Sequence, residues 1–183
     1  MFSFSHIAVV GSRRPSSVVA ASVSLFSYYL HSFLGVISVG CATGVDAIVR
    51  GALPGAQVFE AALPASVPSA GASRTAVAAA LVARSVAVVR SLPVLGSGAV
   101  FAFPLGACPA GLLPSRSSAR CFAGFGSGSW AAVALAAGIG HSVFVFCPEA
   151  GASLPRHWSG TWAAVSVGGV QFWHFVPAQA SLF

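Results

Sequence analysis

The chain has 183 residues, enough for one domain with a sizeable core and short for two. With 56% hydrophobic and 7% charged residues, intrinsic disorder is excluded and membrane residence has to be weighed. The formal charge of +6 comes from nine arginines against Asp46, Glu60 and Glu149, which suits a nucleotide or nucleic-acid partner; lysine and asparagine are both absent, a pattern that an adenine-poor gene also produces.

Short apolar runs alternate with longer helical stretches, and each run ends in a small-residue turn. That is the form of an α/β fold with a parallel sheet and helices on both faces. HIAVVG (6–11) reads as the first strand, 16–34 as a helix, GVISVG (35–40) as the second strand, TGVDAIVRGAL (43–53) as a short helix and AQVFEA (56–61) as the third strand. After a Pro- and Gly-marked loop, SRTAVAAALVARSVAVVR (73–90) has the alanine content and length of a helix. GAVFAF (98–103) is a strand, and the insertion 104–124 that follows it has the length of functional or mobile loops. SWAAVALAAG (129–138) places Trp130, Val133, Ala134 and Ala137 at helical spacing, and HSVFVFC (141–147) closes the core as another strand. The aromatic C-terminal stretch forms a hairpin or edge strand around Gly168 and Gly169. The chain thus divides into an α/β domain over 1–150 and a short C-terminal extension over 151–183, packed on the core or used to form a homo-oligomer.

The stretch 121–147 carries no charged side chain, yet five glycines between 124 and 140 divide it into loop, helix and strand. A bilayer span needs about 20 uninterrupted apolar residues. The best candidate, 18–39, contains Ser22, Ser24, Ser27, His31, Ser32 and Ser38, so no membrane partner is expected. No basic region precedes an apolar core at the N-terminus, and a cytoplasmic location follows. Cys41, Cys108, Cys121 and Cys147 include no C-x-x-C pair, which predicts reduced, mostly buried thiols and neither a zinc site nor any other metal. The five histidines show no i,i+4 pair, and no G-x-S-x-G signature is present.

Ligands of open α/β sheets bind at the carboxyl ends of the strands, where three turns stand out. The first joins Gly11, Ser12 and Arg13: glycine admits a close backbone approach, serine offers a hydroxyl and arginine neutralises phosphate. In the second, GCATGVD (40–46), small residues expose amides at a helix start, where the dipole favours an anion. Asp46 there either contacts ligand or, four residues before Arg50, forms a local ion pair. The third turn, Gly126-Ser127-Gly128-Ser129, offers Ser127 or Ser129 as the N-cap of a helix whose positive end faces the loop.

Together, VVGSRRPS, SVGCATGVDAIVRGAL, the arginine-bearing helix RTAVAAALVARS, AVFAFP and GSGSWAAVALAAGIGHSVFVF resemble the SLOG superfamily of Rossmann-like domains, most closely the DNA-processing A/Smf proteins. The resemblance runs from about His6 to Pro148. It implies a nucleotide or single-stranded DNA phosphate site built from Gly11, Ser12, Arg13, Gly40, Thr43, Gly44, Gly126, Ser127, Gly128 and Ser129, with Arg84 or Arg74 facing the ligand. A catalytic branch, the LOG-like phosphoribohydrolases, cleaves nucleotide N-glycosidic bonds with a glutamate in a P-G-G-x-G-T-x-x-E turn. Here the matching stretch has Ser129 for the threonine and Ala131, Ala132 and Val133 where the acid should be. Binding without a cofactor is therefore the expectation. The alternatives are hydrolysis with Asp46 or Glu60 as the acid, and a self-assembling structural protein. Arg116 and Arg120 of the insertion either close over a bound anion or are solvated.

Overall fold

The computed structural model describes residues 4–62, 73–93, 96–148 and 154–178. The Pro- and Gly-marked loop after the third strand, the boundary at residue 150, Glu149 and the last residues of the extension lie outside the described residues.

One seven-stranded sheet contains β1 (His6–Gly11), β2 (Val36–Gly40), β3 (Gln57–Phe59), β4 (Gly98–Phe103), β5 (Ser142–Val145), β6 (Gly160–Val167) and β7 (Val170–Pro177), in the order β3-β2-β1-β4-β5-β7-β6. The first five strands are parallel, and Ala8 on β1 lies opposite Ser38 on one side and Val100 on the other. The order β3-β2-β1-β4-β5 is that of a Rossmann-like sheet, with its direction of progression reversing between β1 and β4. The sheet is mixed because the expected C-terminal hairpin is added to the five parallel strands. Gly168 and Gly169, at φ +58° and +77°, make a two-residue turn that returns β7 antiparallel to β6 and onto β5, with Val143 opposite Phe175.

Among the described residues five helices connect or cover the strands: α1 (Ser17–Leu30), α2 (Val45–Ala52), α3 (Arg74–Arg90), α4 (Ser118–Cys121) and α5 (Gly128–Ile139). The starts of α1, α3 and α5 follow from serine N-caps, since the hydroxyls of Ser16, Ser73 and Ser127 accept from the amides of Val19, Ala76 and Trp130. Strand alternation sends Ile7 and Val9 to the face covered by α1 and α2, and Ala8 and Val10 to the face covered by α3 and α5. On the first face Phe26 of α1 lies between Phe101, Phe103 and Phe172, with ring centroids 4.6, 5.9 and 5.2 Å away. Helix α5 is buried on every side from Trp130 to Ala137, which explains its almost wholly apolar sequence.

Several boundaries differ from the expectation. The third strand shrinks to three residues, and α1 ends at Leu30, so 18–39 divides into helix, turn and strand. No helix among the described residues is long and apolar enough to cross a membrane. The insertion 104–124 contains the short α4 and is packed rather than loose: Leu112 and Cys121 are buried, and the Ser115 amide donates to the Ala134 carbonyl of α5 at 3.2 Å.

Because Phe26 is fully buried against rings of β4 and β7, Phe26→Ala should cost about 3–5 kcal/mol in equilibrium urea unfolding. A loss below about 1 kcal/mol would show that the site collapses freely and that this aromatic cluster is not the core of the α1 face.

Candidate anion-binding cleft

At the carboxyl ends of β1 and β2, beside the start of α5, the surface opens into a cleft of about 620 Å³. It sits where the sheet progression reverses, the position at which open α/β sheets hold ligands. Gly11, Ser12, Arg13, Gly40, Thr43, Asp46, Arg84, Gly126, Ser127, Gly128 and Ser129 all line it. Gly44 lies just behind, pressed against the backbone of Ser12 and Arg13 at φ +74°, where an added Cβ would strike the Ser12 carbonyl.

The first two turns are locked together. A Cβ on Gly11 would come 2.5 Å from Val45 Cγ2, so glycine lets α2 approach the end of β1. The Val45 amide donates to the Ser12 carbonyl at 3.0 Å, and the Thr43 hydroxyl donates to the Arg13 carbonyl at 3.4 Å. The Ser12 hydroxyl accepts from the Arg14 amide at 3.0 Å and shapes its own turn. Two amides of the second turn are thus engaged within the protein, since that of Ala42 donates to Asp46 Oδ2 at 3.3 Å. At the third turn the cap is Ser127, and α5 begins at Gly128. The amides of Gly128 and Ser129 belong to the first turn of α5, which has no preceding helical carbonyls to bond, and both residues line the cleft. This is the anion-favouring end of a twelve-residue helix.

On the α3 side, Arg84 Nη1 lies 3.3 Å from Asp46 Oδ2, with side chains only 12% and 6% exposed. Burial pushes the Asp46 carboxyl up from its ordinary value, opposed by the Arg84 charge, the Ala42 amide and, more weakly, Arg50. The guanidinium is poorly satisfied: Nη2 donates to Ser85 Oγ at 3.2 Å, while Nε and Nη1 are buried without a hydrogen bond, the approach of Nη1 to Asp46 being a charge contact only. Gly40 makes room for the pair, since a Cβ there would sit 2.5 Å from Asp46 Oδ2 and 2.9 Å from Arg84 Cζ.

Asp46 therefore pairs with Arg84, not with Arg50 as the i,i+4 spacing suggests. Arg50 Nη1 instead donates to the carbonyls of Gly40 at 2.6 Å and Ala42 at 3.1 Å, fastening the second turn from behind. Of the two helix arginines, Arg84 reaches the cleft, and Arg74 is exposed elsewhere. Arg116 and Arg120 are exposed and do not line the cleft, because the insertion that carries them is held on α5. Glu60 is likewise exposed outside the cleft, which leaves Asp46 as the only carboxylate among the lining residues. Among the described residues no group of three His, Cys, Asp or Glu is placed to hold a metal ion, and burial pushes the Cys108 thiol up to about 12, helped by Cys147.

Sequence reasoning missed Leu105 and Phe122, which add apolar surface to the cleft lining. They sit at the two ends of the insertion. Trp130 Nε1, donating to the Gly106 carbonyl at 2.8 Å, ties the first end to α5. The available signal for Phe122 was its position just before the third turn.

No model of a known protein family matches the chain, and no characterised protein matches it by sequence. Solved structures do. DNA processing protein A from Helicobacter pylori, described for its single-stranded DNA binding mode, superposes with a TM-score of 0.52 at 20% identity, over 81% of this chain and 67% of that one. DNA processing protein A from Streptococcus pneumoniae gives 0.50 at 21% identity, over 84% and 54%. The fold is similar to the Rossmann-like fold of DNA processing protein A. This chain spans only part of those proteins, about two thirds of the first and just over half of the second.

The raised carboxyl of Asp46 gives a pH test. A group that binds its proton more tightly folded than unfolded contributes stability that is present below its unfolded value of 3.8 and lost as pH rises through the folded value. Arg84→Leu removes the opposing charge and deepens that loss. The variant should match wild type most nearly near pH 4 and fall progressively behind toward pH 7, by about 3–5 kcal/mol in urea unfolding. A pH-independent difference would refute the coupling.

Proposed function

We propose that the cleft binds a phosphate-bearing ligand, a nucleotide or single-stranded DNA, and that the protein acts by binding and not by hydrolysis. The observation that carries this reading is the meeting, in one cleft, of the α5 N-terminus, the Ser12–Arg13 turn and the under-bonded Arg84 guanidinium. An anion there gains helix-terminal amides and an exposed arginine, and it offsets a positive charge whose own partner is held at a desolvation cost.

Single-stranded DNA is the favoured form, because the similar Helicobacter pylori protein is described as binding it. Stacking partners are available in Phe122 on the cleft wall and the partly exposed Phe125. Trp130, the other aromatic near the turn, is fully buried and structural. Hydrolysis lacks its acid: the Ala131–Val133 segment of α5 is buried, and Oδ2 of Asp46 already holds the Ala42 amide and Arg84. A cytoplasmic location belongs to the same proposal.

Fluorescence anisotropy with labelled oligo-dT, with nucleoside monophosphates as competitors, tests the reading. Arg13→Ala and Gly128→Leu should each weaken binding roughly tenfold or more, the worth of one charge-assisted contact, and affinity should fall steeply with salt. Unchanged affinity in both variants, for oligonucleotide and nucleotide alike, ends the proposal.

A further inference from the structure

The cleft is lined by one buried ion pair, Asp46 and Arg84, and among its lining residues there is no second carboxylate, no histidine and no cysteine. The groups that face the Asp46 carboxyl are few. Arg84 comes from α3, Arg50 from α2 and the Ala42 amide from the turn after β2. The turn after β1 brings Arg13 and Arg14, both exposed to water, and the start of α5 brings Gly128 and Ser129, which carry no charge. Cys41, beside Gly40, is engaged elsewhere, its sulfur accepting from the Ala61 amide at 3.2 Å.

Taken together, the two buried side chains are neutral. Their contact at 3.3 Å is undirected, because Nε and Nη1 of Arg84 make no hydrogen bond. A phosphate that reaches the guanidinium supplies the acceptor these nitrogens lack, and it forms a charge-assisted hydrogen bond in place of a charge contact. It also brings a second negative charge close to Asp46 in a poorly solvated site. One buried cation then faces two anions, and a proton on the carboxyl restores neutrality.

We propose that ligand binding in the cleft is coupled to proton uptake: a phosphate group takes Arg84 as its partner, and the Asp46 carboxyl left behind accepts a proton from solvent. The inference rests on the phosphate-binding reading above and adds its regulation, since a site that gains a proton on binding holds its ligand more tightly as pH falls. The carboxyl is prepared for this role. Burial already pushes it up from its ordinary value, opposed chiefly by Arg84, and the Ala42 amide can go on donating to Oδ2 once the proton has arrived. The sign follows directly: weakening the Arg84 attraction and adding a phosphate both favour the protonated carboxyl further in the complex than in the free protein. Affinity is therefore highest below the free titration midpoint, falls by up to about tenfold per pH unit between the free and the bound midpoints, and levels off above the latter.

Asp46 is the only aspartate in the chain, so protein labelled with ¹³C at the aspartate carboxyl gives a single resonance that reports on it without a mutation. Its titration is followed in free protein and in protein saturated with oligo-dT lacking a terminal phosphate, whose diester groups keep their charge throughout. The midpoint should move to higher pH in the complex, and calorimetry in buffers of different ionisation enthalpy should show net uptake of up to about one proton per site. Asp46→Asn, which carries a neutral side chain at every pH, should bind with an affinity that is nearly flat through the same window. A midpoint that stays in place or moves down while oligo-dT binds, or binding with no net proton uptake, overturns the coupling and leaves the phosphate reading standing. A pH dependence that persists undiminished in Asp46→Asn assigns the proton to another group and overturns it equally. Oligo-dT that fails to bind anywhere between about pH 4 and about pH 8 overturns both.

Discussion

Asp46 and Arg84 meet at 3.3 Å at the base of the cleft, and the geometry of the site follows from that contact. One partner enters from the start of α2 and the other from the middle of α3, so the pair joins the helix layers on the two faces of the sheet beyond the end of β2. Gly40, the last residue of β2, is the point where both pass, and any side chain there would displace them. The arrangement is not an economical one. Two charges are withdrawn from water, the carboxyl is pushed toward its protonated form, and two guanidinium nitrogens find no acceptor. Buried pairs of this kind contribute little net stability, and perturbed groups of this kind gather at functional clefts.

The other residues of the site are consequences of close approach. Gly11 admits Val45, Gly44 admits the Ser12–Arg13 backbone, and Arg50 holds the carbonyls of Gly40 and Ala42. With the first two turns fixed to each other in this way, the α5 N-terminus supplies the open donors. The cleft is accordingly asymmetric: the turns after β1 and β2 are already bonded to each other, the start of α5 offers open donors, and Leu105 and Phe122 add apolar lining.

Much of this was legible in the sequence because it is local. Alternating apolar runs, serine caps and glycine turns each report on a few neighbouring residues, and they placed the five parallel strands, the four longer helices and the three turns. The physical reason that these turns share one cleft is topological: in parallel βαβ units every strand delivers its carboxyl end to the same edge of the sheet. What escaped was set by contacts distant along the chain. The partner of Asp46 is decided by how α3 packs over β2, which spacing within α2 does not reveal. The insertion looked free because its anchors, Ala134, Trp130 and the Trp158 indole that donates to the Leu112 carbonyl at 2.7 Å, lie in other elements. The antiparallel hairpin was visible as a turn, but its docking on β5 depends on Phe172 and Phe175 reaching opposite faces of the core.

The central claim is that the α5 N-terminus and the Ser12–Arg13 turn form one anion site. Titration of ¹⁵N-labelled protein with oligo-dT, followed by amide chemical shifts, examines it at the atoms concerned. The account predicts the largest shifts at Ser12, Arg13, Gly128 and Ser129, moving together with a single dissociation constant. Shifts confined to other surfaces, with these four amides unmoved at saturation, would contradict it.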